Sequence, residues 1–106
     1  MATKNKRKDP KLYTYDKYEC WWEDATSHSE WKDIQEAKLD KPTICYTEGY
    51  VLTKNKDYHT FVMSFALSDV GEQMIVPTKN IKKLKRVGTK TFYVSDFEYE
   101  TYQNES

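Results

Sequence analysis

The side chains of this chain that could do chemistry are few and widely spaced. There are two histidines, His28 and His59, and two cysteines, Cys20 and Cys45. Neither pair has the short spacing of metal-ligating residues, so the sequence predicts no zinc site. Because the N-terminus lacks the apolar core of a secretory signal, we expect two reduced thiols; a disulfide is the alternative if their strands are neighbours.

Two adjacent pairs have catalytic residue types without catalytic geometry. Ser27 and His28 are neighbours at a predicted helix start, where their side chains point apart. Glu23 and Asp24 would have to face one cleft to share a proton, and strand alternation sends them to opposite faces. We therefore predict no enzymatic activity and no cofactor. Asp24 is interpreted as stabilising the helix start or as accepting a hydrogen bond from a ligand amine.

Recognition by aromatic rings is the chemistry that remains. The chain contains nine Tyr, four Phe and three Trp. Flat rings with a few polar neighbours suit a base or a nucleotide, although the same rings can form the core of a small barrel. The predicted ligand-binding residues are Trp22, Asp24, Ser27, Trp31, Thr47, Tyr50 and Lys79, with Trp21, Tyr46 and Tyr58 as further flat faces.

Charge is balanced overall but unevenly distributed. The chain has 17 basic and 17 acidic residues. Residues 1–11 carry five basic residues and one acid, residues 12–40 three and eight, and residues 79–86 five and none. Bulk attraction to nucleic acid is not indicated, and the basic N-terminus is only weak support for a nucleic-acid arm. The opposite charges are expected to neutralise one another within the chain or between copies.

The centre of the chain predicts β-structure. Four runs alternate apolar and polar residues, at 43–54, 58–67, 72–77 and 81–87. The first two, joined by a polar turn at 55–57, predict an antiparallel hairpin. Residues 12–23 form an earlier strand, in which adjacent Trp21 and Trp22 must point to opposite faces, one to the core and one to the surface.

Local signals place one helix and the closing strands. Ser27 with Glu30 forms a capping box, which predicts a short helix over 28–39 that ends before Pro42. The spacing of residues 81, 84 and 87 by three predicts a tight helical turn entering a short last strand, followed by a further strand over 91–94. Strand, turn and strand is also how SH3-like and Sm-like barrels close, by analogy.

The predicted fold is therefore mainly β: a small SH3-like or Sm-like antiparallel barrel of five or six strands, with one short helix after the first strand. The predicted organisation is a disordered basic tail over 1–11, a single barrel domain over 12–95 and an acidic aromatic tail over 96–106. This tail can add to a sheet edge in its own chain or in another subunit, so a homo-oligomer is expected. No segment is apolar enough to predict a membrane span.

Three segments carry a resemblance to a set of small, uncharacterised proteins encoded by tailed bacteriophages. In those proteins a Trp-x-Asp-Ala-x-Ser-x-x-x-Trp segment precedes a Thr-x-Gly strand and an Ile-Pro-Lys-x-x-Ile closure. The matching residues here are Trp22, Asp24, Ala25, Ser27, Trp31, Thr47, Gly49, Pro77 and Ile81. Thr78 stands where that pattern has Lys, and Lys79 follows one place later. The resemblance implies a phage origin and a place in the host cytoplasm.

Two functions fit these observations. The first is a non-enzymatic counter-defence protein that sequesters a nucleotide-derived host immune signal, in a pocket shared between subunits, or caps a host protein. The alternative is an Sm-like RNA-binding or structural interaction module. In that module the phosphate contacts would come from Lys82, Lys83, Lys85 and Arg86, and the near-zero net charge weighs against it.

Overall fold

The computed structural model describes residues 9–25 and 29–99, and it is mainly β, as predicted. No helix in the described ranges is long and apolar enough to cross a membrane. The elements in chain order are β1 Lys11–Asp24, α1 Ile34–Lys38, β2 Thr43–Lys54, β3 Tyr58–Val62, β4 Ser64–Phe65, β5 Val70–Gly71, β6 Met74–Pro77 and β7 Ile81–Tyr93, with 3₁₀ turns at Thr78–Asn80 and Val94–Phe97.

Five strands form one antiparallel sheet in the order β6-β3-β2-β1-β7, and β4 and β5 form a separate two-stranded ribbon. Strand β1 pairs with β7 along nearly its whole length, from Lys11 to Trp22. It pairs with β2 only from Lys17 onwards, because β2 continues beyond Tyr50 alongside β3. In the described pairings β6 and β7 are the two edge strands, and no backbone pairing between them closes the sheet.

The sheet curls around one small core on its inner face. Cys20, Phe61 and Val76 are fully buried there and come from three different strands. The partly buried side chains packed against them are Tyr18, Trp22, Val51, Ile81 and Leu84. This cluster contains side chains from β1, β2, β3, β6 and β7. Both edge strands therefore pack against the same core.

The hairpin between β2 and β3 follows from local chemistry. The Asn55 side chain accepts hydrogen bonds from the backbone N–H groups of Asp57 and Tyr58, both at 2.8 Å, which fixes the polar turn. Further along β2, a Cβ placed on Gly49 would lie 2.9 Å from Met63 Cε and 3.0 Å from the Val62 carbonyl oxygen. Glycine at position 49 therefore allows the end of β3 to pass close to β2.

The helix begins later than the sequence predicts. Its N-cap is Asp33, whose Oδ2 accepts hydrogen bonds from the N–H groups of Gln35 at 3.0 Å and Glu36 at 3.3 Å. The predicted helix over 28–39 is too long at its start, because residues 29–33 are not helical and Asp33, an equally good cap, is the one used. Ser27 lies outside the described residues. No residue of α1 is buried.

The predicted run over 58–67 is interrupted at Met63. The N–H of Met63 donates to the Gly71 carbonyl at 3.3 Å, and that of Ala66 to the Asp69 carbonyl at 2.8 Å, so the chain turns back on itself. Phe65 consequently lies against the outer face of the sheet. Nothing in the even alternation of apolar and polar residues over this run indicates the break.

The last strand is longer than predicted. Ile81–Tyr93 is one strand of 13 residues that runs through Gly88, which lies opposite Lys17. The predicted helical turn at residues 81, 84 and 87 is wrong, because the 3₁₀ turn precedes it at Thr78–Asn80. Pro77 begins that turn since it has no N–H to continue the ladder.

Candidate functional site

The two adjacent tryptophans point to opposite faces of β1, as strand alternation requires. Trp22 lies on the inner face, where its Nε1 donates a hydrogen bond to Thr47 Oγ1 at 3.0 Å. Thr47 Oγ1 in turn lies 3.4 Å from Met74 Sδ, to which it donates. Thr47 is buried, so this polar contact belongs to the interior of the fold.

Trp21 lies on the outer face, within a row that crosses three strands. Directly opposite it are Tyr46 on β2 and Lys83 on β7. The Trp21 and Tyr46 rings are tilted with centroids 5.1 Å apart, and Lys83 Nζ lies 4.7 Å from the Trp21 centroid. The next row adds Glu19 and Glu48. We call Trp21, Tyr46, Lys83, Glu19 and Glu48 the Trp21 face.

The polar groups of the Trp21 face are held in place. The Tyr46 hydroxyl is 3.0 Å from Glu19 Oε2 and 3.2 Å from Glu48 Oε1, within donating distance of both. Desolvation, and then the interactions with Glu19 and Glu48, raise the pKa of Tyr46 to about 12. The phenol therefore stays protonated as a donor at neutral pH. Lys17 Nζ lies 3.5 Å from Glu48, so the rings have charges of both signs around them.

A second group of rings covers the other end of the outer face. We call Tyr13, Tyr15, Tyr50, Phe65 and Phe92 the aromatic cluster. Phe65, delivered by the β4–β5 ribbon, lies 4.9 Å from Phe92 and 5.4 Å from Tyr50 between ring centroids. The Tyr13 hydroxyl donates to the Ala66 carbonyl at 2.6 Å and ties the ribbon to β1. All five rings are partly buried.

The predicted ligand-binding residues are distributed over several places. Trp22 and Thr47 are together, but on the inner face, and Tyr50 belongs to the aromatic cluster. Asp24 lines a cavity of about 190 Å³ next to Pro42 and Asn80. Lys79 is exposed in the adjacent 3₁₀ turn.

Trp31 lies apart from all of these. Its side chain is 102% exposed, and it lines a wide surface cavity of about 580 Å³ with Lys32, Ala37 and Asp40 of its own segment. Ser27, the remaining predicted residue, lies outside the described residues. The predicted residues with described positions therefore do not converge on one pocket.

The signal for the Trp21 face was only half present in the sequence. Alternation indicates that one of Trp21 and Trp22 faces outward, and Tyr46 was already a candidate flat face. The residue opposite Trp21 depends on the register of β1 with β2 and β7, which the sequence does not give. From the sequence alone, Lys83 is a candidate only for contacts with phosphates.

His59 has a structural role in the fold. Thr78 Oγ1 donates to the Asn55 carbonyl at 2.8 Å, so the 2.9 Å contact between His59 Nδ1 and Thr78 Oγ1 requires His59 to donate. His59 is 6% exposed, and desolvation, with a smaller contribution from Lys54, lowers the pKa of its ring. This contact ties β3 to the 3₁₀ turn before β7.

The thiols and acids offer no reactive grouping in the described ranges. Burial raises the pKa of Cys20 to about 11, so its thiol stays protonated; Cys45 is half-buried, and both are free thiols. Residues 9–25 and 29–99 contain no group of three or more His, Cys, Asp or Glu side chains that could hold a metal ion. The Trp21 face, whose rings and polar groups have the contacts given above, is therefore the candidate site.

Comparison of the chain with protein-family models, with curated proteins and with solved structures finds no match. The resemblance to tailed-phage proteins therefore stays a prediction, and the candidate function has to be argued from the site itself.

Proposed function

We propose that this chain is a non-enzymatic binding protein that recognises a protein partner through the Trp21 face. In the phage setting that the sequence resemblance implies, it acts in the host cytoplasm as a counter-defence protein that caps a host protein. The observation that carries the proposal is the outward-facing Trp21–Tyr46 pair with charges of both signs around it. Trp and Tyr are enriched among the residues that dominate protein–protein binding energy.

The arrangement of charge favours a protein over a nucleic acid. Two carboxylates lie within 3.2 Å of the Tyr46 hydroxyl, on the same face as Trp21, and would repel a phosphate backbone there. Two of the four cations invoked for RNA binding are close to acids: Lys82 Nζ is 3.5 Å from Glu23 and Arg86 Nη1 is 3.8 Å from Asp16. These contacts reduce the positive charge available to phosphates.

A nucleotide-derived signal is the second candidate ligand. The observation in its favour is Lys83 above Trp21, since a base could stack on the ring while the ammonium group contacts a phosphate. The face is open, with Tyr46 48% exposed, whereas small-molecule sites enclose most of their ligand. Sequestration would therefore need a second subunit to close the site.

The barrel architecture is part of the proposal. The core on the inner face contains side chains from all five strands of the sheet, including both edge strands. This supports an SH3-like or Sm-like arrangement. In such an arrangement the Trp21 face lies on the outside of the curved sheet. Recognition there leaves the core unchanged.

The test compares two tryptophans. The protein is expressed in a bacterial host with active defence systems, purified at low salt and examined by native mass spectrometry. Trp21→Ala is expected to reduce the bound protein partner by about 30-fold or more, the loss typical of a central aromatic contact. Trp31→Ala is the matched control and is expected to retain the partner.

Three other outcomes would contradict either the Trp21 face as the site or a protein as its ligand. Loss of the partner from Trp31→Ala but not Trp21→Ala would contradict the Trp21 face and favour the site predicted from the sequence. A bound nucleotide in place of a protein would favour the second candidate. RNA that dissociates steeply with salt would favour the Sm-like alternative.

A further inference from the structure

The two edge strands of the sheet, β6 and β7, differ in length and composition. Strand β6 has only four residues, no charge, and a proline at its end. Strand β7 has 13 residues, and among the described residues its only strand partner is β1. A long unpaired strand edge offers backbone N–H and C=O groups to another strand, whereas a short one ending in proline offers few. Strand β7 is therefore the edge to which another segment can add.

The side chains of β7 restrict what can pair with it. They include five basic residues and no acid, namely Lys82, Lys83, Lys85, Arg86 and Lys90. Lys85 is exposed and forms no ion pair with a described residue. Two β7 strands placed side by side would bring like charges together, which is destabilising. The edge therefore rejects its own copy and favours an acidic strand.

We propose that the β7 edge binds the acidic segment of residues 98–106 from a second copy of the chain. That segment has three Glu and no basic residue, and Glu98, Tyr99 and Glu100 alternate acid with aromatic. Nine extended residues span about 30 Å, long enough to follow most of β7. The charges of the two strands are complementary, and strand addition supplies backbone hydrogen bonds in either direction.

The residues that lead into this segment pack on the outer face of their own molecule. The Phe97 ring stacks on Phe92 with centroids 6.0 Å apart, on the outer face. Residues 97–99 line a cavity of about 430 Å³ together with Phe65 of β4 and Leu67 of the turn that follows it. Tyr99 is 96% exposed, so its ring has no cover in the described molecule. The uncovered Tyr99 ring and the complementary charge of β7 are the observations that favour a neighbouring copy.

The test measures assembly of the full chain by light scattering over a wide range of protein concentration. Lys85→Glu with Lys90→Glu lowers the net charge of β7 from +5 to +1, counting five basic residues and two reversals. It is expected to raise the concentration needed for assembly by about tenfold or more. Glu98→Gln, Glu100→Gln and Glu105→Gln together are expected to do the same. Lys38→Glu with Lys41→Glu, the same charge change elsewhere on the surface, is the control and should assemble as the parent does.

A labelled peptide of residues 98–106 provides a second readout. It is expected to bind the full chain, to compete with assembly, and to bind the Lys85→Glu, Lys90→Glu protein at least about tenfold more weakly. A parent chain that is monomeric at every concentration overturns the proposal. Assembly that both sets of variants leave intact also overturns it. So does a monomer in which residues 98–106 pair with β7 of the same chain and protect its amides from hydrogen exchange. Trp21→Ala should leave assembly unchanged, so failure here and failure of the proposed function are separate results.

Discussion

The inner and outer faces of the sheet both carry aromatic side chains but bury them to different degrees. On the inner face Phe61 is fully buried, and Trp22 packs against the same core with its N–H hydrogen-bonded. On the outer face Tyr46 is 48% exposed, and the aromatic cluster around Phe65 is only partly buried. The difference indicates that the aromatic side chains of the inner face contribute more to stability than those of the outer face, where Val62, opposite Tyr50, is the fully buried side chain.

The largest expected effect separates two phenylalanines. Phe61→Ala should lower the free energy of unfolding by about 3–5 kcal/mol, because it empties a fully buried site. Phe65→Ala removes the same atoms from the partly buried aromatic cluster and should cost clearly less, about 1–3 kcal/mol. Urea denaturation of both proteins measures the difference. An equal or larger loss for Phe65→Ala would mean that the outer face contributes as much stability as the inner face.

Two glycines test how closely the inner face is packed. Gly49→Ala should destabilise the protein by about 1–3 kcal/mol, because a Cβ there meets Met63 and the Val62 carbonyl. Gly88→Ala is the matched control: apart from its chain neighbours, no atom of the described residues lies within 4 Å of a Cβ at that position. It should change stability by no more than about 0.5 kcal/mol. Thermal and urea unfolding measure both, and comparable losses would contradict the close approach of β3 to β2.

The polar contact on the inner face should have a smaller effect. Thr47→Val keeps the size of the side chain but leaves the partly buried Trp22 N–H without its acceptor, at a cost of about 1 kcal/mol. Thr53→Val, an exposed threonine on the same strand, serves as the control and should be nearly neutral. If both substitutions leave the urea midpoint unchanged, the Trp22–Thr47 hydrogen bond does not contribute to stability.

The smallest expected effect is a dependence on pH. Because the pKa of His59 is lower in the folded protein than its usual 6.5, the unfolded chain binds the extra proton first as pH falls. The contribution of His59 to stability should therefore be fully present above pH 6.5 and decrease as the pH drops below that value. The slope should be at most about 1.4 kcal/mol per pH unit for one proton. Urea unfolding at several pH values checks this, with His59→Gln expected to show a flatter profile. An equal slope in both proteins would assign the effect to other groups.

Where local patterns decide the structure, the sequence was sufficient. Strand β2 has the bounds that its alternation predicts, and the turn after it is fixed by Asn55 itself. The break at Met63 was not predictable, since apolar residues continue on both sides of it and the turn depends on pairing with Gly71. The helix start was missed because Asp33 competes with the earlier cap.

The site was harder to predict than the fold. Alternation separates Trp21 from Trp22 but does not say which one faces the core. That choice depends on the curvature of the sheet and on the strands packed across it, which are long-range features. The sequence placed Trp22 in a binding site, and the structure places it beside Thr47 in the interior, while the outward ring that meets Tyr46 and Lys83 is Trp21.

The most direct measurement replaces each of the two adjacent tryptophans by alanine and determines both stability and retention of the bound partner. Trp22→Ala is expected to lower the free energy of unfolding by about 2–4 kcal/mol, because it removes core packing. Trp21 is also partly buried, so Trp21→Ala is expected to cost about 1 kcal/mol, clearly less than Trp22→Ala, while the partner is lost. A Trp21→Ala protein that keeps its partner, or that loses as much stability as Trp22→Ala, would contradict the division between a stabilising inner face and a binding outer face.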